Sequence, residues 1–287
     1  MKATVIIPSS GRKGTLTGTL EALCLQSFRD FEVVVVDDAS APRLEDRVRP
    51  FEARLAIQTL RLGSPVGAGS ARNAGAEFAR GDLLVFLDDD CIAGPEWVHA
   101  YIGAAKDRKH LLAGPIRNGS PGNIYANAYH SVLESLFESH LRDQAATRLP
   151  FVCAANFAVD RKQFLALGGF DPEFRDGGED RGLCVKWLAE GGLLRAVPDA
   201  SVLHRHDLDF QRFLVQQFTY GRSATRVRRW MASRGFPAAG LESPGLYARI
   251  LRDGLASRSF ARLGLVFLSQ VAVAAGAGWE AAGGKQR

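Results

Sequence analysis

The chain has 287 residues, 46% of them hydrophobic, with a net charge of +5 and an isoelectric point near 9.2. That is enough for one large or two small domains with a substantial core, and 30 glycines without a short period exclude a collagen-like or low-complexity chain. The modest basic excess suits an anionic substrate, nucleic acid or anionic lipid. Cys24, Cys91, Cys153 and Cys184 are far apart and form no CxxC, which argues against a zinc site or disulfide framework and fits a reducing cytosol.

In chain order, Ala3 to Ile7 is an apolar, β-branched run stopped by Pro8 and the loop SSGRKG, a strand ending in a loop. So short an apolar start, MKATVIIP, is not expected to be a signal peptide. Thr15 to Gln26 spaces Leu16, Leu20, Leu23 and Cys24 as on a helix, and Phe31 to Val36 is a second strand, followed by Asp37, Asp38, Ala39 and Ser40. Arg43 to Glu52 is expected to be helical and Leu55 to Leu60 to be a third strand. A glycine-rich loop leads into a helix over Ser70 to Ala79, with Gly81 expected just past its end. Leu83 to Leu87 is the fourth strand.

Further elements are a helix over Pro95 to Ala105, a strand over Leu111 to Ile116, a helix over Asn123 to Leu141 and a strand-like run over Phe151 to Val159. A short helix over Arg161 to Leu167 stops at Gly168 and Gly169, and after the loop Phe170 to Gly178 a helix runs from Glu179 to about Glu190. Leu193 to Val197 is a strand, Ser201 to Leu203 runs into His204, Arg205 and His206, and Phe210 to Met231 is a long helix. The alternation indicates a mostly parallel α/β sheet covered by helices on both faces. Ligands of such sheets bind beyond the carboxyl ends of the strands. The loops Pro8 to Gly14, Asp37 to Ser40 and Asp88 to Cys91 meet there.

The fourth strand runs directly into Asp88, Asp89 and Asp90. Three adjacent carboxylates cannot enter the core unpaired, so they belong where the strand leaves the sheet, and a divalent cation is the simplest compensation. On an extended segment Asp88 and Asp90 point the same way and can converge on one ion or ligand. His204 and His206 have the same spacing after a strand. The glycine loop GAGSARNAG fails the dinucleotide fingerprint because Arg72 stands at its third glycine; no GxxxxGK[ST] or GxSxG occurs.

The tail differs. Tyr220 to Arg262 holds nine arginines and two acids, Glu242 and Asp253; Leu263 to Trp279 is uncharged. Alanines and three glycines dilute that stretch, so an interfacial helix facing an anionic leaflet is favoured over a span, with a helix packed on the domain as the plain alternative.

TVIIPSSGRKG, the Gln26 ending the first helix, EVVVVDDAS, GAGSARNAGAEFARGDLLVFLDDDC and GGFDPEFRDGGED together resemble the glycosyltransferase family 2 catalytic domain, over about residues 3 to 230. The resemblance implies a GT-A fold with a helical C-terminal extension and an inverting, metal-dependent transfer from a nucleoside-diphosphate sugar, a UDP-sugar first among them, to an acceptor hydroxyl. The expected division is a catalytic domain over 1–230, its nucleotide-sugar half 1–115 and its acceptor half 116–230, then a tail over 231–287. Pro8, Ser9, Asp38, Arg72, Asp88 and Asp89 are expected at the nucleotide sugar. Asp90, Asp88 and His204 are expected at Mn²⁺ or Mg²⁺, and Asp180, with Glu179 beside it, at the acceptor proton. A base at a helix N-terminus is expected to have a depressed pKa. Gln216 to Arg222 resembles a stretch that follows this histidine in bacterial members and departs from the QxxRW of processive synthases, so polymer export is not expected. The acceptor, saccharide or lipid-linked, is expected to meet the loops Arg117 to Tyr125 and Arg142 to Pro150. The implied setting is envelope or cell-surface saccharide synthesis in the cytoplasm, at the inner face of the membrane, without nucleic acid. The competing readings are a sugar nucleotidyltransferase, to which SSGRKG is a partial match, and a nucleic-acid binder using the arginine-rich tail, which the acidic rim opposes.

Overall fold

The computed structural model describes residues 1–11, 15–142, 152–237, 252 and 259–283. Arg12 to Gly14 of the SSGRKG loop, most of the second acceptor loop and the middle of the tail lie outside them. Strands β1 (Ala3–Ser9), β2 (Phe31–Asp37), β3 (Ile57–Arg61) and β4 (Leu83–Leu87) form the parallel half of a seven-stranded sheet. Its other half adds β6 (His110–Ala113), β8 (Asn156–Asp160) and β9 (Leu193–Ala196), in the overall order β3-β2-β1-β4-β8-β6-β9. β8 runs antiparallel to both β4 and β6, so the sheet is mostly rather than wholly parallel.

Strand alternation sorts the core into two layers. Val5, Ile7, Val33, Val35, Val85 and Leu87 face one side, with Leu20 of α1 (Thr15–Cys24) and with Trp97 and Tyr101 of α4 (Trp97–Ala104). Ile6, Val34, Val36, Leu84 and Phe86 face the other, with Ala71 and Ala76 of α3 (Ala68–Phe78), Phe164 of α6 (Arg161–Ala166) and Trp187 of α7 (Glu179–Ala189). Between β2 and β3 lie the short helix α2 (Glu45–Val48) and a 3₁₀ turn.

Local chemistry sets several boundaries apart from expectation. β1 continues through Pro8 to Ser9. The Ser9 carbonyl accepts from the Asp38 N–H at 2.9 Å, so alternation turns the missing N–H of Pro8 toward β4, whose pairing has ended at Ile6. Gly81 does not end α3 in a left-handed turn; Ala79 closes it in extended geometry, and Gly81 is glycine because a side chain there would strike the Ala3 backbone. The expected strand over Leu111 to Ile116 is two strands in two sheets. Its end becomes β7 (Ile116–Asn118), which with β10 (Val202–His204) and β5 (Cys91–Ala93) forms a three-stranded sheet, order β5-β10-β7. The Phe151 to Val159 run pairs only from Asn156 onward.

Buried Asn156 explains that late start. Its Oδ1 accepts from Trp97 Nε1 and Tyr101 Oη, both at 2.8 Å, and its Nδ2 donates to the carbonyls of Pro115 (3.1 Å) and Ala200 (2.8 Å). All four partners lie at the junction of the two sheets. Three further helices pack together beside the small sheet: α5 (Ile124–Arg142), which lies on β7, α8 (Phe210–Ser233) and α9 (Phe260–Ala281). α8 and α9 meet backbone to backbone, since a side chain on Gly221 would strike the Val273 carbonyl and one on Gly276 the Phe218 carbonyl.

Candidate active site

β4 carries the aspartate triplet out of the sheet, but the segment does not stay extended. The Cys91 N–H donates to the Asp88 carbonyl at 3.1 Å and closes a turn. The three side chains meet different partners. Asp88 Oδ1 lies 2.5 Å from an Arg72 guanidinium nitrogen. Asp89 is buried and accepts from the Ser9 hydroxyl, while its carbonyl accepts from Thr19 Oγ1 at 2.9 Å. Asp90 is buried with its Oδ1 3.0 Å from His204 Nε2. Protein groups thus offset part of the charge for which a divalent cation is the simplest compensation.

Arg72 is the link between the two halves of the rim. It is only 3% exposed, and its second nitrogen contacts Glu179 Oε1 at 3.1 Å. Burial works against its charge, but the carboxylates of Asp88 and Glu179 outweigh that and hold the guanidinium protonated well above its ordinary range. Asn73, one residue on, fixes the same approach. Its Nδ2 donates to the Phe170 carbonyl (2.8 Å) and its Oδ1 accepts from the Phe170 N–H (2.9 Å). α3 therefore clamps the loop that leads to Glu179 and Asp180. Gly178 supplies the turn at φ +100°, where a side chain would also press on Val227.

Asp180 comes to the same strand end. Its Oδ2 lies 3.4 Å from the Ala154 N–H, and the next carbonyl, of Ala155, faces the Asp88 N–H at 3.4 Å. Burial, then the neighbouring Glu179 charge, push its pKa up to about 7. The expected depression by the helix terminus is thus reversed, because desolvation and a like charge exceed the helix-end field.

On the nucleotide side, Asp38 accepts from the N–H groups of Val66 (2.7 Å) and Gly67 (3.0 Å), fixing the loop before α3. Asp37 is fully buried. Desolvation alone would raise its pKa, but hydrogen bonds from Ser40, Arg61 and the Leu44 N–H carry it below the usual range. Pro8 precedes Ser9, the last residue of β1, whose hydroxyl is given to Asp89.

For a divalent cation the structure offers Asp90 and His204, brought together because His204 pairs with Cys91 across β10 and β5. A carboxylate oxygen and an imidazole nitrogen fit Mn²⁺, and Mg²⁺ on the oxygen side. Cys91 lies in the same group, and in the metal-free protein burial and the charges of Asp88 and Asp90 push its thiol pKa far up. Asp88, also expected at the metal, has its Oδ1 on Arg72.

Sequence reasoning missed Asn73, Asn156 and His130. Asn73 lies inside the quoted ARNAG motif and could have been weighed there. His130, on α5, faces His204 and His206 and had no local signal. A cleft of about 710 Å³ lined by Lys109, Lys186, Trp187 and Phe236 includes none of these groups.

Solved structures resemble this fold along its length. A mannosyltransferase from Pyrobaculum calidifontis, in complex with GDP-Man and Mn²⁺, aligns with a TM-score of 0.63 at 19% identity, covering 100% of this chain and 76% of the other. S. aureus TarS 1-349 in complex with UDP-GlcNAc aligns at 0.59 and 17% identity, covering 94% and 79%. The fold is the GT-A glycosyltransferase fold. The glycosyl transferase family 2 model matches residues 4–168, more than half of the 287, and the chain belongs to that family. A validoxylamine A glucosyltransferase of Streptomyces hygroscopicus subsp. jinggangensis is 33% identical over 223 residues, 65% of this chain and 51% of that protein. A pre-mycofactocin glycosyltransferase of Mycobacterium tuberculosis is 30% identical over 237 residues, 77% and 46%. The chain spans about half the length of these curated relatives.

Proposed function

We propose that the chain is an inverting glycosyltransferase that moves a sugar from a nucleoside-diphosphate sugar to an acceptor hydroxyl with the help of a divalent cation. The observation that carries this reading is Arg72. One buried guanidinium holds Asp88, at the sheet edge, and Glu179, at the start of α7, within contact of each other's loops. It supports a donor side and an acceptor side facing across one gap, as displacement at an anomeric carbon requires.

The chemistry follows from these groups. Asp90 and His204 would hold the cation, which supplies positive charge to the diphosphate as the bond from the anomeric carbon to its oxygen breaks. Asp88, fixed by Arg72, stands toward the ribose, and Asp38, with Pro8 and the Val66–Gly67 backbone, toward the base. On the other side Asp180 takes the proton of the acceptor hydroxyl while its oxygen bonds to the anomeric carbon. Glu179 is committed to Arg72, whereas the pKa of Asp180, about 7, suits a base working near neutral pH. GDP-Man and UDP-GlcNAc, named for two structural neighbours, are first candidates for the donor.

The setting we propose is the cytoplasmic face of the membrane, in envelope or cell-surface saccharide synthesis. α9 has a mean hydropathy of 1.6 and is long and apolar enough to cross a membrane. Its exposed face carries Phe260, Phe267, Leu268, Val271 and Trp279, and the preceding chain is rich in arginine. Its other face is packed on α8, where Glu280 meets Arg222 at 3.0 Å. One face on the domain and one apolar face outward support contact with an anionic leaflet.

Sugar transfer from a donor panel with Mn²⁺ tests the reaction. Activity is expected to fall to background with EDTA and in Asp90→Ala. Full activity in both would remove the metal from the mechanism, and release of pyrophosphate instead of nucleoside diphosphate would favour a nucleotidyltransferase.

A further inference from the structure

His130 is a buried histidine that the transfer mechanism does not use. It projects from the middle of α5, is 1% exposed, and neither ring nitrogen completes a hydrogen bond among the described residues. The Ile116 backbone is a polar neighbour that falls short of one. Buried polar atoms are almost always hydrogen-bonded, and exceptions point to an unseen water, ion or role.

The groups facing His130 are chemically of one kind. His204, at the end of β10, has its ring centroid 5.7 Å away, and His206 lies at 5.6 Å. The His204 and His206 rings are themselves 3.9 Å apart. One nitrogen from each of the three can be chosen so that all lie within 4.8 Å of one another. The Tyr129 ring packs at 4.8 Å from His206 and 5.0 Å from His130, closing the cluster with an aromatic wall. The ligand-capable atoms come from a helix and a strand end that approach only in the folded chain.

The geometry points to a second cation site: we propose that His130, His204 and His206 bind a divalent ion of the Zn²⁺ class through three imidazoles, beside Asp90 and sharing His204 with it. Three imidazole nitrogens suit a borderline-soft ion such as Zn²⁺ and leave a position open, whereas Mg²⁺ and Ca²⁺ prefer oxygen. This set differs from the Asp90–His204 pair in its donor atoms and in two of its three residues. The proposal rests on the cluster alone and is measured without donor sugar, so it stands or falls separately from the transferase reading.

The test is a Zn²⁺ titration of the metal-stripped full chain against a chromophoric chelator, with Mn²⁺ binding followed separately by electron paramagnetic resonance. The wild type is expected to take up one Zn²⁺ tightly. His130→Ala is expected to weaken it by about 100-fold or more, since even outer partners of metal ligands are worth about 10–100-fold, while Mn²⁺ binding is unchanged. No Zn²⁺ uptake by the wild type, or equal affinity in His130→Ala, overturns the site. X-ray absorption of the Zn²⁺-loaded wild type covers the case of a variant that does not fold. Scattering from three imidazoles supports the proposal, and a shell of carboxylate oxygens or a thiolate with a single imidazole overturns it.

Discussion

Among single residues, the carboxylates of the rim are held in unlike surroundings. Asp180 is a carboxylate whose folded-state pKa rises, from the ordinary 3.8 to about 7. The sign of its effect on stability follows from proton linkage. Below about pH 4 it is protonated in both folded and unfolded chains and contributes no difference. Between 3.8 and 7 the folded state alone keeps the proton, so stability falls as pH rises, and above 7 the full cost is present. Asp180→Asn is therefore expected to raise Tm at pH 8, by about 2 °C or more, with the gain vanishing near pH 4. The same variant is expected to lose about 10²–10⁴-fold in turnover, the usual contribution of a general base. A melting and activity series across pH checks both, and a Tm loss at pH 8 would contradict the buried-carboxylate account. The aspartate triplet was legible in the sequence because an apolar strand cannot swallow three carboxylates. Their separate partners were not, because Arg72, Ser9 and His204 are 16, 80 and 114 positions away and only the folded turn at Asp88–Cys91 selects them.

At the scale of elements, periodicity located the parallel strands and nearly every helix, since continuous apolar runs and 3.6-residue spacing are properties of the chain itself. The small sheet was not legible. β5, β7 and β10 are three residues each, too short for a period, and they exist because Asn156 and strand pairing hold them together. Asn156→Leu is expected to destabilise the protein by about 3 kcal/mol, because it strands Trp97 Nε1, Tyr101 Oη and two carbonyls in the interior. Chemical denaturation measures this, and a change within about 0.5 kcal/mol would show that these groups find other partners. The seam between α8 and α9 depends equally on elements meeting. Gly276→Leu places a side chain against the Phe218 carbonyl and is expected to cost about 2 kcal/mol of local packing. Hydrogen exchange is expected to show α9 losing protection while β1 and β4 keep theirs. Unchanged protection in α9 would contradict the backbone-to-backbone contact.

At the scale of the whole molecule, the sheet edge, α3 and the start of α7 make one rim, while α5, α8 and α9 stand beside it. The family and fold were readable in advance from motif order, which records a nucleotide-sugar fold more firmly than any one residue does. Whether the tail packs or projects was not readable, because small residues such as Gly221 and Gly276 serve a close helix seam as well as a membrane segment. In the structure α9 has one packed face and one exposed apolar face. Binding to vesicles containing anionic lipid is accordingly expected, weakening as salt rises. Flotation measures it, and equal binding to neutral vesicles at all salt concentrations would remove the electrostatic part. In the proposed transfer the acceptor attacks from the side of Asp180, opposite the diphosphate held near Asp90. Proton NMR of the first sugar released or transferred from an α-linked donor tests it most directly. The β-anomer as first product, absent in Asp180→Asn, is the expected result; the α-anomer as first product, or wild-type turnover in Asp180→Asn, would contradict it.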